Sequence, residues 1–128
     1  MILIVEDSAE NAELLRLYLE RKAGLHCAIC VNGDEVLRLC RKGMVELVIM
    51  DIQLNATFVD EQPVSGVDLT RRLKADPATA QIPVLLATAH AMREEREQFL
   101  EASGAEGYMT KPVENYDAFI AEIRRWMK

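Results

Sequence analysis

The sequence predicts an α/β fold in which five parallel strands form a doubly wound sheet with helices on both faces. Short apolar runs alternate with helical apolar patterns five times along the chain. Parallel neighbouring strands need helical crossovers of this kind between them. The chain has 128 residues, half of them apolar and 28% charged, which is typical of one globular domain. We therefore expect residues 1–128 to form a single domain.

The strands are expected where the apolar runs are short and continuous, a pattern typical of strands buried on both faces. The first run ends in two carboxylates, the second stops at the turn pair Asn32-Gly33, and the third ends in Asp51. The five predicted strands cover residues 2–5, 26–31, 47–50, 83–88 and 107–110.

The helices are predicted from apolar residues at helical spacing and from start and stop signals. Ser8 can cap the first helix, which continues to Gly24. Asp76-Pro77 ends the third helix and Gly104 closes the fourth. The remaining markers are Val36, Leu37 and Cys40 in a second helix ending at Gly43, residues 67–75 for the third, about 91–103 with Met92 for the fourth, and Phe119, Ile120, Ile123 and Trp126 in the fifth.

The carboxyl ends of the predicted strands carry polar residues. Glu6 and Asp7 follow the first strand and Asp51 ends the third. Thr88 ends the fourth strand, and Lys111 follows the fifth. In an open α/β sheet the ligand lies beyond these strand ends, so we expect the five side chains to converge on one crevice.

Three carboxylates and one ammonium form the chemical core of this predicted site. Clustered carboxylates repel one another unless a cation neutralises them. Oxygen ligands without nearby His or Cys favour a hard ion such as Mg²⁺, which also binds phosphate. A carboxylate beside Mg²⁺ and a lysine is equipped to attack phosphorus, and the two cations stabilise the charge on the transferred oxygens. The residue set therefore predicts phosphoryl transfer to an aspartate.

Four motifs stand at the ends of four predicted strands, in order along essentially the whole chain. They are Ile4-Val5-Glu6-Asp7-Ser8, Val48-Ile49-Met50-Asp51-Ile52-Gln53-Leu54, Leu86-Ala87-Thr88-Ala89 and Gly107-Tyr108-Met109-Thr110-Lys111-Pro112. Each motif is weak alone, but together they resemble the receiver domain of two-component response regulators. The resemblance implies a flavodoxin-like (βα)5 fold.

The resemblance also implies roles for matching residues. Asp51 looks like the phosphoacceptor. Glu6 and Asp7 look like the acidic pair that holds Mg²⁺, together with Asp51 and the backbone carbonyl of Gln53. Lys111 would contact a phosphoryl oxygen, and its bond to the next residue, Pro112, is often cis in this family.

In the same family, phosphorylation switches a surface. Thr88 would bond another phosphoryl oxygen, and Tyr108 would be the aromatic switch that turns inward when Thr88 moves. The small Ala89 would leave room for a phosphodonor. The added charge shifts an equilibrium between two surface arrangements. The face formed by the fourth helix, fifth strand and fifth helix would then signal to a downstream protein.

The implied phosphodonor is a histidine kinase or a histidine phosphotransfer protein. Such a chain takes part in its own phosphorylation and dephosphorylation but turns over no small molecule, so we do not expect an enzyme in the usual sense. The resemblance further implies a monomer or a dimer formed on phosphorylation. Since the sequence ends with the fifth helix, we expect no output domain within it.

One segment departs from the family pattern. After Leu54 the family usually has a proline and reaches a helix-starting glycine after a short loop. This sequence has Asn55 instead and reaches Ser65-Gly66 several residues later. The segment 55–65 includes Phe58, which looks exposed, and has no clear period. A passive insertion and a loop that docks a partner or covers the site are both compatible with it.

Charge and cysteine content exclude several other classes. The net charge is −6 and the basic residues are scattered, so we expect no nucleic-acid binding. No apolar run approaches the roughly 18 residues of a membrane span, and no signal peptide is visible, so the cytoplasm is the expected location. Three cysteines argue against a disulfide framework. Cys27 and Cys30 would point to opposite faces of a strand and, like Cys40, are interpreted as core residues.

Three alternative functions remain weaker. An unphosphorylated receiver acting as an interaction scaffold is disfavoured by the intact acidic and basic residues. A phosphohydrolase of the haloacid dehalogenase type usually has a second Asp two residues after the nucleophile, where this sequence has Gln53. A nucleotide- or flavin-binding domain would need a glycine-rich phosphate loop after the first strand, where Glu6-Asp7-Ser8 stands instead.

Overall fold

The chain folds around one five-stranded parallel sheet. The computed structural model describes residues 1–89, 93–111, 113 and 115–127, and of Arg93 it describes the backbone. The sheet contains β1 (Ile2–Val5), β2 (Cys27–Ile29), β3 (Leu47–Asp51), β6 (Val84–Thr88) and β7 (Gly107–Thr110). Its order is β2-β1-β3-β6-β7, and every neighbouring pair is parallel. The order reverses between β1 and β3, which places the crevice for a ligand at their carboxyl ends.

Within the described residues, five helices cover the two faces of this sheet, as predicted. They are α1 (Ala9–Ala23), α2 (Gly33–Arg41), α3 (Gly66–Ala75), α4 (Arg93–Ser103) and α5 (Tyr116–Trp126). In β1, Leu3 and Val5 belong to the core cluster that includes α2 and α3, while Ile2 and Ile4 belong to the cluster of α1 and α5. All four are fully buried, which explains the continuous apolar runs.

The helix boundaries follow from capping residues. The Ser8 side chain accepts a hydrogen bond from the Asn11 N–H, as expected for a cap. Asn32 caps α2 by accepting from the Glu35 N–H, so the predicted turn pair is in fact a helix start. Ser65 and Asp68 form a reciprocal capping box on α3.

Several predictions need correction or fall outside the described residues. The second strand is shorter than the predicted 26–31, since pairing with β1 covers only Cys27–Ile29. Cys27 and Cys30 contact opposite core clusters, as predicted, but Cys30 is only half-buried. The proposed start of the fourth helix at 91, the packing of Met92 and the bond at Pro112 lie outside the described residues.

The segment 55–65 is a small folded hairpin, which corrects the expectation of an aperiodic loop. β4 (Phe58–Val59) and β5 (Gln62–Pro63) pair antiparallel. Asp60 and Glu61 form the turn with φ values of 49° and 67°, the conformation that matches the twist of a two-residue hairpin. Val59 is buried in the core, whereas Phe58 is 48% exposed.

Two glycines allow the close backbone approaches that position this hairpin. A Cβ on Gly33 would lie 2.5 Å from the Phe58 carbonyl oxygen, so α2 and β4 can pack closely only because Gly33 has no side chain. A Cβ on Gly66 would lie 1.9 Å from the carbonyl oxygen of Asp51. The hairpin is thus bounded by α2 on one side and by the end of β3 on the other.

Candidate functional site

The carboxyl ends of β1 and β3 bring two acids and one lysine together. Glu6 and Asp51 are 7% and 6% exposed. The Lys111 Nζ lies 3.2 and 3.1 Å from the two Glu6 carboxylate oxygens and 3.3 Å from Asp51 Oδ1. Lys111 follows β7, and its N–H donates to the Thr88 carbonyl at 2.8 Å. This backbone bond places the ammonium beside both acids.

The two acids face one lysine, and their pKa values separate. Burial raises the pKa of Asp51 to about 7, helped by its hydrogen bond with Glu6 and by the negative charge of Glu6. Burial alone would raise the pKa of Glu6 as well, but hydrogen bonds with Asp51, Lys111 and Asn11 hold it below its ordinary value. Below about pH 7, Asp51 therefore retains a proton and shares it with the Glu6 carboxylate.

Asp7 and Gln53 lie at the edge of this cluster. Asp7 is half-buried, and its Oδ2 accepts a hydrogen bond from the Asn55 N–H. The Gln53 N–H donates to Asp51 Oδ1 at 3.1 Å, which holds the turn after β3 against the acid. Across the described residues, no three acidic, histidine or cysteine side chains are gathered closely enough to hold a metal ion. The structure therefore brings Glu6, Asp51 and Lys111 together and leaves Asp7 turned toward Asn55.

Thr88 and Tyr108 lie on the same face of the sheet. Thr88 is buried at the end of β6, two residues after Leu86, which pairs with Tyr108 on β7. The Tyr108 hydroxyl lies 3.1 Å from Arg96 Nη1, and the guanidinium carbon lies 4.9 Å from the ring centroid. Arg96 on α4 thus contacts both the ring and the hydroxyl of this tyrosine.

Two contacts at the site were missed by sequence reasoning. The Asn11 side chain donates to Glu6 Oε1 at 3.2 Å from the first turn of α1. This contact could have been predicted from the sequence, because Asn11 lies five residues after Glu6 in the first turn of a capped helix. The second contact is the hydrogen bond from the Asn55 N–H to Asp7. It could have been predicted because Asn55 replaces the usual proline, which has no N–H.

The sequence matches the family model described as the response regulator receiver domain over residues 2–124. The chain belongs to this family. The polar-differentiation response regulator DivK of Brucella anthropi is 35% identical over 126 residues, covering 98% of this chain and 94% of that protein. The receiver assignment thus holds over nearly the whole sequence.

Solved structures agree with the receiver fold. A chain described as a response regulator from Chloroflexus aurantiacus superposes with a TM-score of 0.82 at 28% identity, covering 98% of this chain and 95% of that one. The receiver domain of a sensor histidine kinase from Pseudomonas aeruginosa superposes with a TM-score of 0.80 at 25% identity, with coverage of 98% and 95%. That structure has a magnesium ion coordinated in its active site cleft.

The donor set of this receiver fits a magnesium ion in its chemistry. Glu6 and Asp51 are buried next to one another, and burial together with their mutual repulsion raises the pKa of Asp51. A divalent cation relieves such repulsion, and carboxylate and carbonyl oxygens are its preferred ligands. Asp7 is adjacent to Glu6 in the chain and would have to turn from Asn55 to join them.

A groove of about 290 Å³ opens beside Lys111. It lies between α1 and the segment from β7 to α5, and Leu14 on its rim is 60% exposed. Its lining is mostly apolar and consists of Asn11, Leu14, Leu15, Ala89, Met109, Lys111, Val113 and Tyr116. No helix among the described residues is long and apolar enough to cross a membrane.

Proposed function

We propose that the chain is a working phosphoacceptor of a two-component phosphorelay, with Asp51 as the phosphorylated residue. The observation that carries this proposal is the contact of Lys111 with both Glu6 and Asp51 at a buried strand end. A buried pair of acids with one lysine is short of positive charge, and burial together with the charge of Glu6 raises the pKa of Asp51 to about 7. Such a site favours Mg²⁺ and an incoming phosphoryl group.

Each residue would have a defined task in the transfer. Glu6, Asp7, Asp51 and the backbone carbonyl of Gln53 would hold Mg²⁺, which supplies positive charge against the transferred oxygens. The ionised Asp51 attacks phosphorus, and the bond from phosphorus to the donor's imidazole nitrogen breaks as the new bond to oxygen forms. Lys111 neutralises charge on the phosphoryl oxygens, and Thr88 donates its hydroxyl to another of them.

The phosphodonor would be a histidine kinase or a histidine phosphotransfer protein. The apolar groove beside Lys111 supports this proposal, because a protein donor needs a docking surface next to the phosphoacceptor. After transfer, movement of Thr88 and Tyr108 would change the face of α4, β7 and α5 for a downstream protein. The contact of Arg96 with Tyr108 links that face to the proposed switch residue.

The central test is phosphorylation by acetyl phosphate, followed by intact mass. We expect a phosphoryl adduct that requires Mg²⁺ and is absent from the Asp51→Asn variant. Lys111→Met should slow labelling by about 100-fold, since it removes a positive charge from the transferred group. Absence of an adduct, in conditions that label a known receiver and trap a short-lived product, would instead support an interaction scaffold.

A second experiment tests the proposed donor surface. Leu14→Asp places a charge on the exposed rim of the groove, and we expect it to reduce labelling by a cognate phosphorylated histidine protein by about tenfold. Labelling by acetyl phosphate should be unchanged, because the small donor does not need the groove. Equal loss with both donors would show damage to the site, and no loss with either would place docking elsewhere.

A further inference from the structure

Asn55 supplies a backbone donor at a position where the family usually has proline. Its N–H donates to Asp7 Oδ2. A proline has no N–H, so this hydrogen bond depends on the departure from the family pattern. The bond joins a residue at the start of the hairpin segment to the acid that follows Glu6.

The hairpin that holds Asn55 is anchored at several points. The Val64 N–H donates to the Thr57 carbonyl at 3.0 Å, and the Asp60 N–H donates to Asp34 Oδ1 of α2 at 3.2 Å. Val59 is 2% exposed within the core. Movement of the Asn55 N–H is therefore opposed by packing and hydrogen bonds elsewhere in the hairpin.

Asp7 has a different environment from its two acidic neighbours. Glu6 and Asp51 both contact Lys111, whereas the Asp7 carboxylate accepts a hydrogen bond from the Asn55 N–H. Among the described residues, the three acids are not gathered into a group able to hold a metal ion. An N–H that donates to a carboxylate oxygen competes with a cation for that oxygen and fixes the carboxylate's orientation.

We propose that the Asn55 N–H is a positioning group that holds Asp7 away from the metal site and so weakens Mg²⁺ binding. The inference rests on the proposed function, in which Asp7 is a magnesium ligand. Binding of Mg²⁺ then requires Asp7 to give up the hydrogen bond to Asn55. The inserted hairpin thereby sets the Mg²⁺ concentration at which the receiver becomes competent for phosphorylation.

The test compares the Mg²⁺ affinities of the full chain and two variants by titration calorimetry. Asn55→Pro removes the N–H, and we expect it to bind Mg²⁺ about tenfold more tightly, the equivalent of one hydrogen bond to a charged group. Asn55→Ala keeps the N–H and should bind within about twofold of the original chain. Equal or weaker binding by a folded Asn55→Pro variant would overturn the inference.

A measurement on the unaltered chain keeps the inference testable if Asn55→Pro does not fold. In the metal-free protein, the Asn55 amide should be protected from hydrogen exchange, and saturating Mg²⁺ should reduce that protection by about tenfold. The Asp60 amide, bonded to Asp34, is the matched control and should stay protected. Unchanged Asn55 protection in the Mg²⁺-bound protein would refute the positioning role.

The two proposals fail in different ways. If the unaltered chain does not bind Mg²⁺ at millimolar concentrations, the proposed function and this inference both fail. If it binds Mg²⁺ and is phosphorylated, but Asn55 affects neither affinity nor exchange, only the positioning role is refuted.

Discussion

Two lysines at opposite ends of the sheet, Lys74 and Lys111, both contact carboxylates, but only the cluster around Lys74 is balanced in charge. At the amino end, Lys74 Nζ lies 2.7 Å from Glu106 Oε2 and donates to the carbonyls of Ala80 and Ile82 at 3.0 and 2.7 Å. The other oxygen of Glu106 accepts the Val84 N–H at 2.7 Å. At the carboxyl end, Lys111 contacts two acids.

The difference lies in the balance of charge. Lys74 meets one carboxylate, and neutral carbonyls take its other bonds, so the cluster is neutral and its hydrogen bonds are satisfied. Lys111 meets two buried acids, and burial, helped by the charge of Glu6, raises the pKa of Asp51 to about 7. Once Asp51 ionises above that pH, the site carries a net negative charge. Loss of one partner from a matched buried ion pair destabilises the fold, because the remaining charge is left buried and unpaired. An unmatched cluster, such as the one around Lys111, favours binding of a cation.

The largest expected change in stability is at the charge-balanced cluster of Lys74 and Glu106, at the amino end of the sheet. Lys74→Met removes the partner of Glu106 and of two carbonyls, and we expect a loss of about 3 kcal/mol in the free energy of unfolding. Urea denaturation at pH 7 measures it. The exposed Lys42→Met variant is the control for loss of one lysine and should change stability by less than about 0.5 kcal/mol. A loss below about 1 kcal/mol for Lys74→Met would mean that the cluster is not structural.

The second-largest expected effect is a gain in stability on removing a charge from the cluster of Glu6, Asp51 and Lys111. The pKa of Asp51 rises from 3.8 to about 7 on folding, so the folded chain retains a proton that the unfolded chain releases. Stability of the metal-free chain therefore falls as the pH rises between these values. Asp51→Asn should abolish this loss and raise stability at pH 8 by about 2 kcal/mol.

Denaturation of the metal-free proteins from pH 4 to pH 8 tests this sign. The gain should be largest at the alkaline end and disappear near pH 4. Glu101→Gln, at an exposed position, controls for loss of one negative charge. A destabilised Asp51→Asn variant at pH 8 would contradict the proposed charge imbalance.

Lys111→Met should affect stability less than Lys74→Met. Glu6 and Asp51 can share a proton when the ammonium is removed, so we expect a loss of about 1 kcal/mol at pH 6, with a greater loss at pH 8. The same denaturation series measures both lysine variants. If Lys111→Met were the more damaging of the two at pH 6, the lysine at the carboxyl end would be the main structural ion pair.

The smallest effect concerns Thr57 near the carboxyl end. Its side chain is 2% exposed, and within the described part of the chain its hydroxyl has no hydrogen-bond partner. Thr57→Val replaces this hydroxyl with a methyl group and should raise stability by about 0.5 kcal/mol. Thermal denaturation measures this gain. Thr79→Val is the matched control, because it removes a buried hydroxyl that is hydrogen-bonded, to the Leu73 carbonyl. A destabilised Thr57→Val variant would indicate a bound water at the hydroxyl.

The sequence alone determined the order of the layers and the location of the site. Continuous apolar runs identify strands buried on both faces, because such a strand has no solvent-facing positions at which polar residues would alternate with apolar ones. The strands β1, β3 and β6 lie where these runs predict. Caps such as Ser8 identify helix starts because they act within one turn. Glu6, Asp51 and Lys111 could be placed together because the ends of parallel strands share one edge of a sheet.

Only the tertiary structure decided which oxygen meets which donor. The hairpin at 55–65 has strands of two residues and a turn of Asp60 and Glu61, without the glycine that normally marks such turns. Its position depends on packing against α2, which is distant in sequence. The contacts of Asn11 with Glu6, of Asn55 with Asp7 and of Lys111 with two acids also join separate segments. Local periodicity and capping specify elements, but hydrogen bonds between elements depend on how the folded chain brings them together.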